Sequence, residues 1–213
     1  MRRLLWCFST KGQREQRCLN IKPFIQISIS LANPNAAVNL TDGVFCDTNK
    51  IYEMKGGFLM KRIAIVTGAS SGMGREFVLQ LSNWETFDEI WAIARRAERL
   101  EELAQNVPIP VRPIALDLTD PDALAYYRDL LDAAAPDVGL LANIAGFGKF
   151  GRYDQIPLED SLRMIDVNCK ALVAMTELTL PYMRRGARLL NLDSLSAFQP
   201  VPYLNVYAST KAF

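Results

Sequence analysis

From residue 60 onward the apolar positions follow two rhythms in turn, short continuous runs and longer stretches at helical spacing. The run Lys61–Val66 reads as a buried strand, and Gly72–Trp84 follows it with helical spacing, Phe77, Leu79 and Leu81 supplying apolar contacts. Glu89–Ala94 predicts a second strand, and Ala97–Ala104 a helix that turns Leu100 and Leu103 inward. Val111–Leu116 is the third strand, and Pro121 opens a helix to Ala135, proline being favoured in a first helical turn. Leu140–Ile144 and Arg188–Leu192 predict a fourth and a fifth strand, separated by a long amphipathic helix over Leu158–Arg184. Alternation of this kind predicts an α/β fold, a Rossmann-like doubly wound parallel sheet with helices on both faces. Ligands in that architecture bind at the carboxyl ends of the strands.

Residues 1–59 show neither rhythm over a useful length. Lys55-Gly56-Gly57, just ahead of Met60, is what a purine-rich ribosome-binding sequence yields when read in frame. We therefore expect Met60 to be the true start and residues 1–59 to be a non-native or disordered extension, with a partner-binding segment as the alternative. Residues 60–213 then form the single folded domain.

Length and composition narrow the function. A chain of 213 residues, 50% of them apolar, has room for one substantial core. A net charge of +1 gives no reason to expect nucleic acid as a partner, so a small molecule is the default. Cys7, Cys18, Cys46 and Cys169 fall at no metal-like spacing, and neither a metal site nor a disulfide framework is expected. The apolar onset before Phe8 is too short for a secretion signal, and the nearest candidate for a membrane span, Ile21–Ala32, is broken by Lys22 and Pro23. The expected location is the cytoplasm.

Directly after the first strand stand Thr67, Gly68, Ala69, Ser70, Ser71, Gly72, Met73 and Gly74, at the entrance to a helix. Glycines placed there let backbone approach a pyrophosphate at the positive end of the helix, although a tight turn without a ligand would use the same residues. Near the carboxyl end, Tyr207-Ala208-Ser209-Thr210-Lys211 puts a phenol and an ammonium on one face of a helix. A phenol with a free pKa of about 10 needs a nearby positive charge to ionise at neutral pH, and Lys211 can supply one. Taken alone, a Tyr/Lys pair at this spacing is commonplace on helix surfaces. The chain has no histidine, so the usual acid/base side chain is unavailable.

Taken together, these motifs resemble the classical short-chain dehydrogenase/reductase family. The T-G-x-x-x-G-x-G spacing of Thr67–Gly74 is similar to the family's, and Asn143-Ile144-Ala145-Gly146 resembles its N-N-A-G segment with Ile144 in place of the second asparagine. The resemblance covers residues 60–213 and implies hydride transfer between a nicotinamide cofactor and a carbonyl or alcohol carbon. It implies that Gly68, Ser70, Ser71, Gly72, Met73, Gly74, Asn143, Ala145 and Gly146 lie along the cofactor. Asp117 and Leu118 match positions that contact the adenine ring, though Asp117 could otherwise cap the following helix. At the end of the second strand, where a carboxylate would accept the free 2′-hydroxyl of NAD, the chain has Ala94-Arg95-Arg96. Guanidinium groups there favour the 2′-phosphate of NADP, and of the two we expect Arg95 to make the contact. An ordinary solvated helix start is the alternative.

Ser194 precedes Tyr207 by thirteen positions, the interval found in many members, so the resemblance makes it the hydroxyl that orients the substrate oxygen. Ser196 is close enough to compete for that assignment. Tyr207 is implied as general acid in reduction and general base in oxidation. Lys211 would stabilise the phenolate and bond the nicotinamide ribose, and Asn168, in an interior helical position that asparagine disfavours, would hold a water connected to the lysine. Family members continue past the lysine, so the chain reads as truncated, with an exposed fifth-strand edge, poor solubility and no activity expected of it. A non-catalytic NADP-binding module and an extended-type epimerase or dehydratase are the rival readings. Phe147–Gly151 and Ala197–Leu204 would line the substrate side and hint at a nonpolar substrate. The full-length form is expected to be a homodimer or homotetramer.

Overall fold

The computed structural model describes residues 27–31, 54–55, 58–199 and 201–213. Five strands form the parallel sheet that the alternation predicts: β4 (Arg62–Thr67), β5 (Glu89–Ala94), β6 (Val111–Ala115), β7 (Asp137–Asn143) and β8 (Arg188–Leu192). Strands β1 (Ile27–Leu31), β2 (Met54–Lys55) and β3 (Phe58–Leu59) precede them. The spatial order is β1-β8-β7-β4-β5-β6, so the winding reverses between β7 and β4. In open sheets of this type the crevice above such a reversal is where ligands sit.

The strands are apolar at nearly every position because both faces of the sheet are covered. On one face Ala64, Val66, Ala92, Leu140 and Ala142 pack under α1 (Gly72–Leu81) and α2 (Ala97–Ala104), with Val78, Leu100 and Leu103 fully buried. On the other, Ile63, Ile65, Trp91, Ile93 and Leu141 meet α3 (Pro121–Ala134) and α5 (Ala171–Thr179). Each buried aliphatic side chain of this kind contributes roughly 1.5–3 kcal/mol relative to exposure. In α1 Gly74, Val78 and Leu81 are buried, and Phe77 and Leu79 pack against the same core. Helix α3 starts as predicted: Pro121 stands in the first turn, and the Asp120 carboxylate accepts the Asp122 N–H at 2.9 Å.

The long helix expected over residues 158–184 is interrupted. Helix α4 (Leu158–Ile165) passes through a π-helical turn, Asp166–Lys170, into α5 and then a 3₁₀ turn, Leu180–Tyr182. Such wide turns insert one residue into the helical ladder and re-aim the side chains beyond it. Asn168 sits in this turn and is buried.

The edge of the fifth parallel strand, expected to be exposed, is covered: β1 runs antiparallel along β8 from Ile27 opposite Leu192 to Leu31 opposite Arg188. The fifth strand of the parallel sheet therefore has a partner on its outer side. The strand reads ISISL, a period-two pattern that suits a ladder once an unpaired strand edge is available.

Candidate active site

Thr67 ends β4 and ties it to β7: its hydroxyl accepts the N–H groups of Ile144 and Ala145, both at 3.0 Å. The chain then turns at Gly68 with φ +71°, where a Cβ would stand 2.9 Å from the Ala145 backbone, and a Cβ at Gly74 would run into the Gly68 carbonyl oxygen. Side chains are thus excluded where β4 hands over to α1. No side chain caps the first turn of α1, whose residues Gly72, Met73 and Gly74 face an opening.

That opening belongs to a cleft of about 430 Å³. Its floor is the glycine-rich turn, and its walls include Arg95, Arg96, Asp117, Leu118, Ala145, Gly146 and Arg163. Ser70, Ser71, Gly72 and Met73 line it as well. Arg96 reaches back over the turn, its guanidinium donating to Ser70 Oγ at 3.1 Å and Ser71 Oγ at 2.8 Å. Arg95, the arginine expected to meet the 2′-phosphate, lines the same cleft, its guanidinium 4.0 Å from Asp117 Oδ2. The Asn143 side-chain amide donates to Thr176 Oγ1 and Asn191 Oδ1, both at 3.0 Å, which ties β7 to α5 and β8.

Of the four residues expected to be catalytic, Asn168 from the π turn and Lys211 from α6 (Asn205–Ala212) both approach Gly146 on the cleft wall, Tyr207 of α6 lies against Gly148, and Ser194 follows the end of β8. Lys211 Nζ donates to the Leu192 carbonyl at 2.7 Å, which joins α6 to the end of β8 two residues before Ser194. Burial pushes the Lys211 ammonium below the ordinary lysine value of 10.5, against the opposing pull of Asp193 and Cys169. Ser194 Oγ accepts the Ser196 N–H at 3.3 Å and shares a hydrogen bond with Ser196 Oγ at 2.9 Å, so both hydroxyls occupy one place. The Tyr207 ring lies flat against the backbone of Gly148, where a Cβ would stand 2.6 Å from ring atom Cδ2. Among the described residues Tyr207 Oη hydrogen-bonds to neither Ser194 nor Lys211.

Asn168 holds the loop that carries Gly148. Its carbonyl oxygen accepts the Phe147 N–H at 3.1 Å, and its amide donates to the Phe147 carbonyl at 2.9 Å and to Thr210 Oγ1 at 2.9 Å. The Asn168 side chain thus clamps the backbone of Phe147. Thr210 Oγ1 in turn donates to the Tyr207 carbonyl at 2.7 Å, so the π turn, the loop after β7 and α6 share one circuit. An aromatic rim borders this region. Phe150 and Tyr203 meet edge to face at 5.6 Å, and the Gly151 N–H donates to the Tyr203 carbonyl at 3.0 Å. Tyr203 holds φ +67°, a strained value for a residue with a side chain.

The family model described as short chain dehydrogenase matches residues 62–213. The chain belongs to that family. An uncharacterized oxidoreductase of Bacillus subtilis is 35% identical over 158 residues, covering 71% of this chain and 55% of its own. A probable NADP-dependent dehydrogenase of Haemophilus influenzae is 35% identical over 153 residues, with 70% and 60% covered. Among solved structures, the serine dehydrogenase from Escherichia coli superposes with a TM-score of 0.59 at 28% identity, covering 71% of this chain and 70% of that one. The chain spans 55% to 60% of the length of the two curated relatives just named. In the sequence Gly148 and Thr210 stand only within longer segments and nothing singles out Arg163, because the contacts of all three join distant parts of the chain. Among the described residues no helix is long and apolar enough to cross a membrane.

Proposed function

We propose that the chain binds NADP(H) in the cleft above the β4/β7 reversal and that the whole protein transfers hydride between this cofactor and a carbonyl or alcohol carbon. The observation that carries the reading is the placement of Arg96. A guanidinium rests on the Ser70 and Ser71 hydroxyls, and no carboxylate ends β5, so a ribose 2′-phosphate would find three donors and no repulsion. Arg95, engaged with Asp117, is a secondary contact. The Haemophilus influenzae relative is named NADP-dependent, and solved short-chain dehydrogenases carry NADP+ and NADPH.

The glycine-rich turn and the N-terminus of α1 would hold the pyrophosphate, and Asp117 and Leu118 the adenine. Bound there, NADPH supplies the hydride. Tyr207 gives its phenolic proton to the substrate oxygen as charge develops, and takes it back in the reverse direction. Lys211 stabilises the phenolate, and Ser194 donates a hydrogen bond to the same substrate oxygen, with Ser196 Oγ orienting it. Asn168 keeps the loop at Phe147–Gly148 in place against the Tyr207 ring.

The test pairs turnover with binding. In the whole protein, Tyr207→Phe is expected to lower kcat for NADPH-dependent reduction of an aryl ketone by roughly 10²–10⁴-fold while leaving the Kd for NADPH within twofold, about what loss of a general acid costs. Undiminished reduction by the variant, or no saturable NADPH binding by either protein, would overturn the proposal.

A further inference from the structure

Across the cleft from the glycine-rich turn, one arginine reaches from a different wall. Arg163, on α4, donates to Asp117 Oδ2 at 3.3 Å, a contact between residues 46 apart in sequence. The other carboxylate oxygen is held from its own side, accepting Thr119 N–H at 3.1 Å and Thr119 Oγ1 at 2.8 Å. Burial works against ionisation of Asp117, but the Thr119 bonds and the charges of Arg163 and Arg95 outweigh it and hold the carboxyl below its ordinary value of 3.8. Asp117 is therefore an acceptor with a fixed direction, pinned from both walls of the cleft.

Its place in the cleft says what it accepts. The wall runs from the turn after β4 to Arg96 after β5 and Asp117 after β6, and adjacent strands lie about 4.8 Å apart. A phosphate-bearing ligand anchored on the turn and on Arg96 would thus bring its base, not its phosphates, to Asp117. A carboxylate beside phosphates would repel them; beside a purine carrying a 6-amino group it gains a hydrogen bond. A purine with a 6-oxo group presents lone pairs to the same oxygen and is rejected, provided the carboxylate can neither rotate away nor pick up a proton.

We propose that Arg163 is a positioning residue for base recognition: by bridging the cleft to Asp117 it fixes the carboxylate as an acceptor, so that the chain selects adenine over a 6-oxopurine. This rests on the NADP reading above. Arg163 is about half exposed and lies outside the core, so its replacement leaves the fold intact.

The probes are NADP+ and its hypoxanthine analogue, in which a 6-oxo group and an N1–H replace the 6-amino group and the bare N1, titrated against the chain by calorimetry. The wild-type chain is expected to bind NADP+ roughly tenfold more tightly, the discrimination expected of one charge-assisted hydrogen bond. Arg163→Met is expected to shrink that ratio below about threefold, and Arg163→Lys, which keeps the charge within reach of Asp117, to preserve most of it. If Arg163→Met weakens both ligands by the same factor, Arg163 is a general charge contact and the proposal fails. An unchanged ratio in Arg163→Met, or no preference in the wild-type chain, also defeats it. These outcomes leave the NADP reading standing; if neither dinucleotide binds, that reading fails first and this one with it.

Discussion

Gly148 illustrates how one absent side chain can govern a reactive one. The phenol of Tyr207 lies on the space its hydrogen leaves, and the loop carrying it is pinned by Asn168 through both polar groups of Phe147. In Gly148→Ala the new methyl would stand 2.9 Å from the ring's Cγ as well as 2.6 Å from Cδ2, so the ring must swing. Displacements of that size cost roughly tenfold or more in rate where proton transfer needs alignment. We expect carbonyl reduction by the whole protein to fall at least tenfold in Gly148→Ala with NADPH affinity retained. In Gly151→Ala, where a Cβ meets only ordinary contact with Ile156, we expect it to hold steady. Steady-state kinetics on the pair checks this, and equal activity would show that the ring tolerates the methyl. No sequence signal marks Gly148 out, because its meaning lies in a helix that arrives about 60 residues later.

At the scale of elements, strands β4 to β8 and helices α1 to α3 were legible because each carries its own pattern: continuous apolar runs, buried helical stripes, and the Asp120–Pro121 start of α3. The π turn was not. It leaves no mark on the apolar spacing of residues 158–184, since the extra residue is absorbed where Asn168 turns inward to the loop after β7. The bonds of Asn143 to α5 and β8 were hidden for a related reason, because at a strand's end the alternation does not say which neighbour a polar side chain meets. The ladder between β1 and β8 depends on two segments about 160 residues apart. It makes a prediction at its own scale. Amides of a strand point alternately to its two neighbours, so in a chain beginning at Met60 about half the amides of Arg188–Leu192 should exchange with solvent at least tenfold faster. Hydrogen exchange followed by mass spectrometry reads this out, and unchanged protection would mean that β1 does not shield β8.

Across the whole molecule, the two ends of the sheet carry different chemistry. At the amino ends of the strands, Arg62, Glu85, Asp137 and Arg188 form a paired network, with Glu85 bridging Arg62 at 2.7 Å and Arg188 at 2.6 Å. At the carboxyl ends, the glycine-rich turn, Arg96 and Arg163 border open space. A structural end satisfies its charges internally, whereas a binding end leaves donors to be satisfied by a ligand. The central claim is that Arg96 prepares this end for a 2′-phosphate. It is tested most directly by the ratio of NADH to NADPH dissociation constants for the chain and for Arg96→Ala, measured by cofactor fluorescence at one salt concentration. The account predicts NADPH to bind at least roughly tenfold more tightly to the wild-type chain, as charge-assisted bonds to a phosphate require, and the ratio to collapse toward one in the variant. A wild-type chain that binds NADH as tightly as NADPH, or a preference that survives Arg96→Ala, would contradict it.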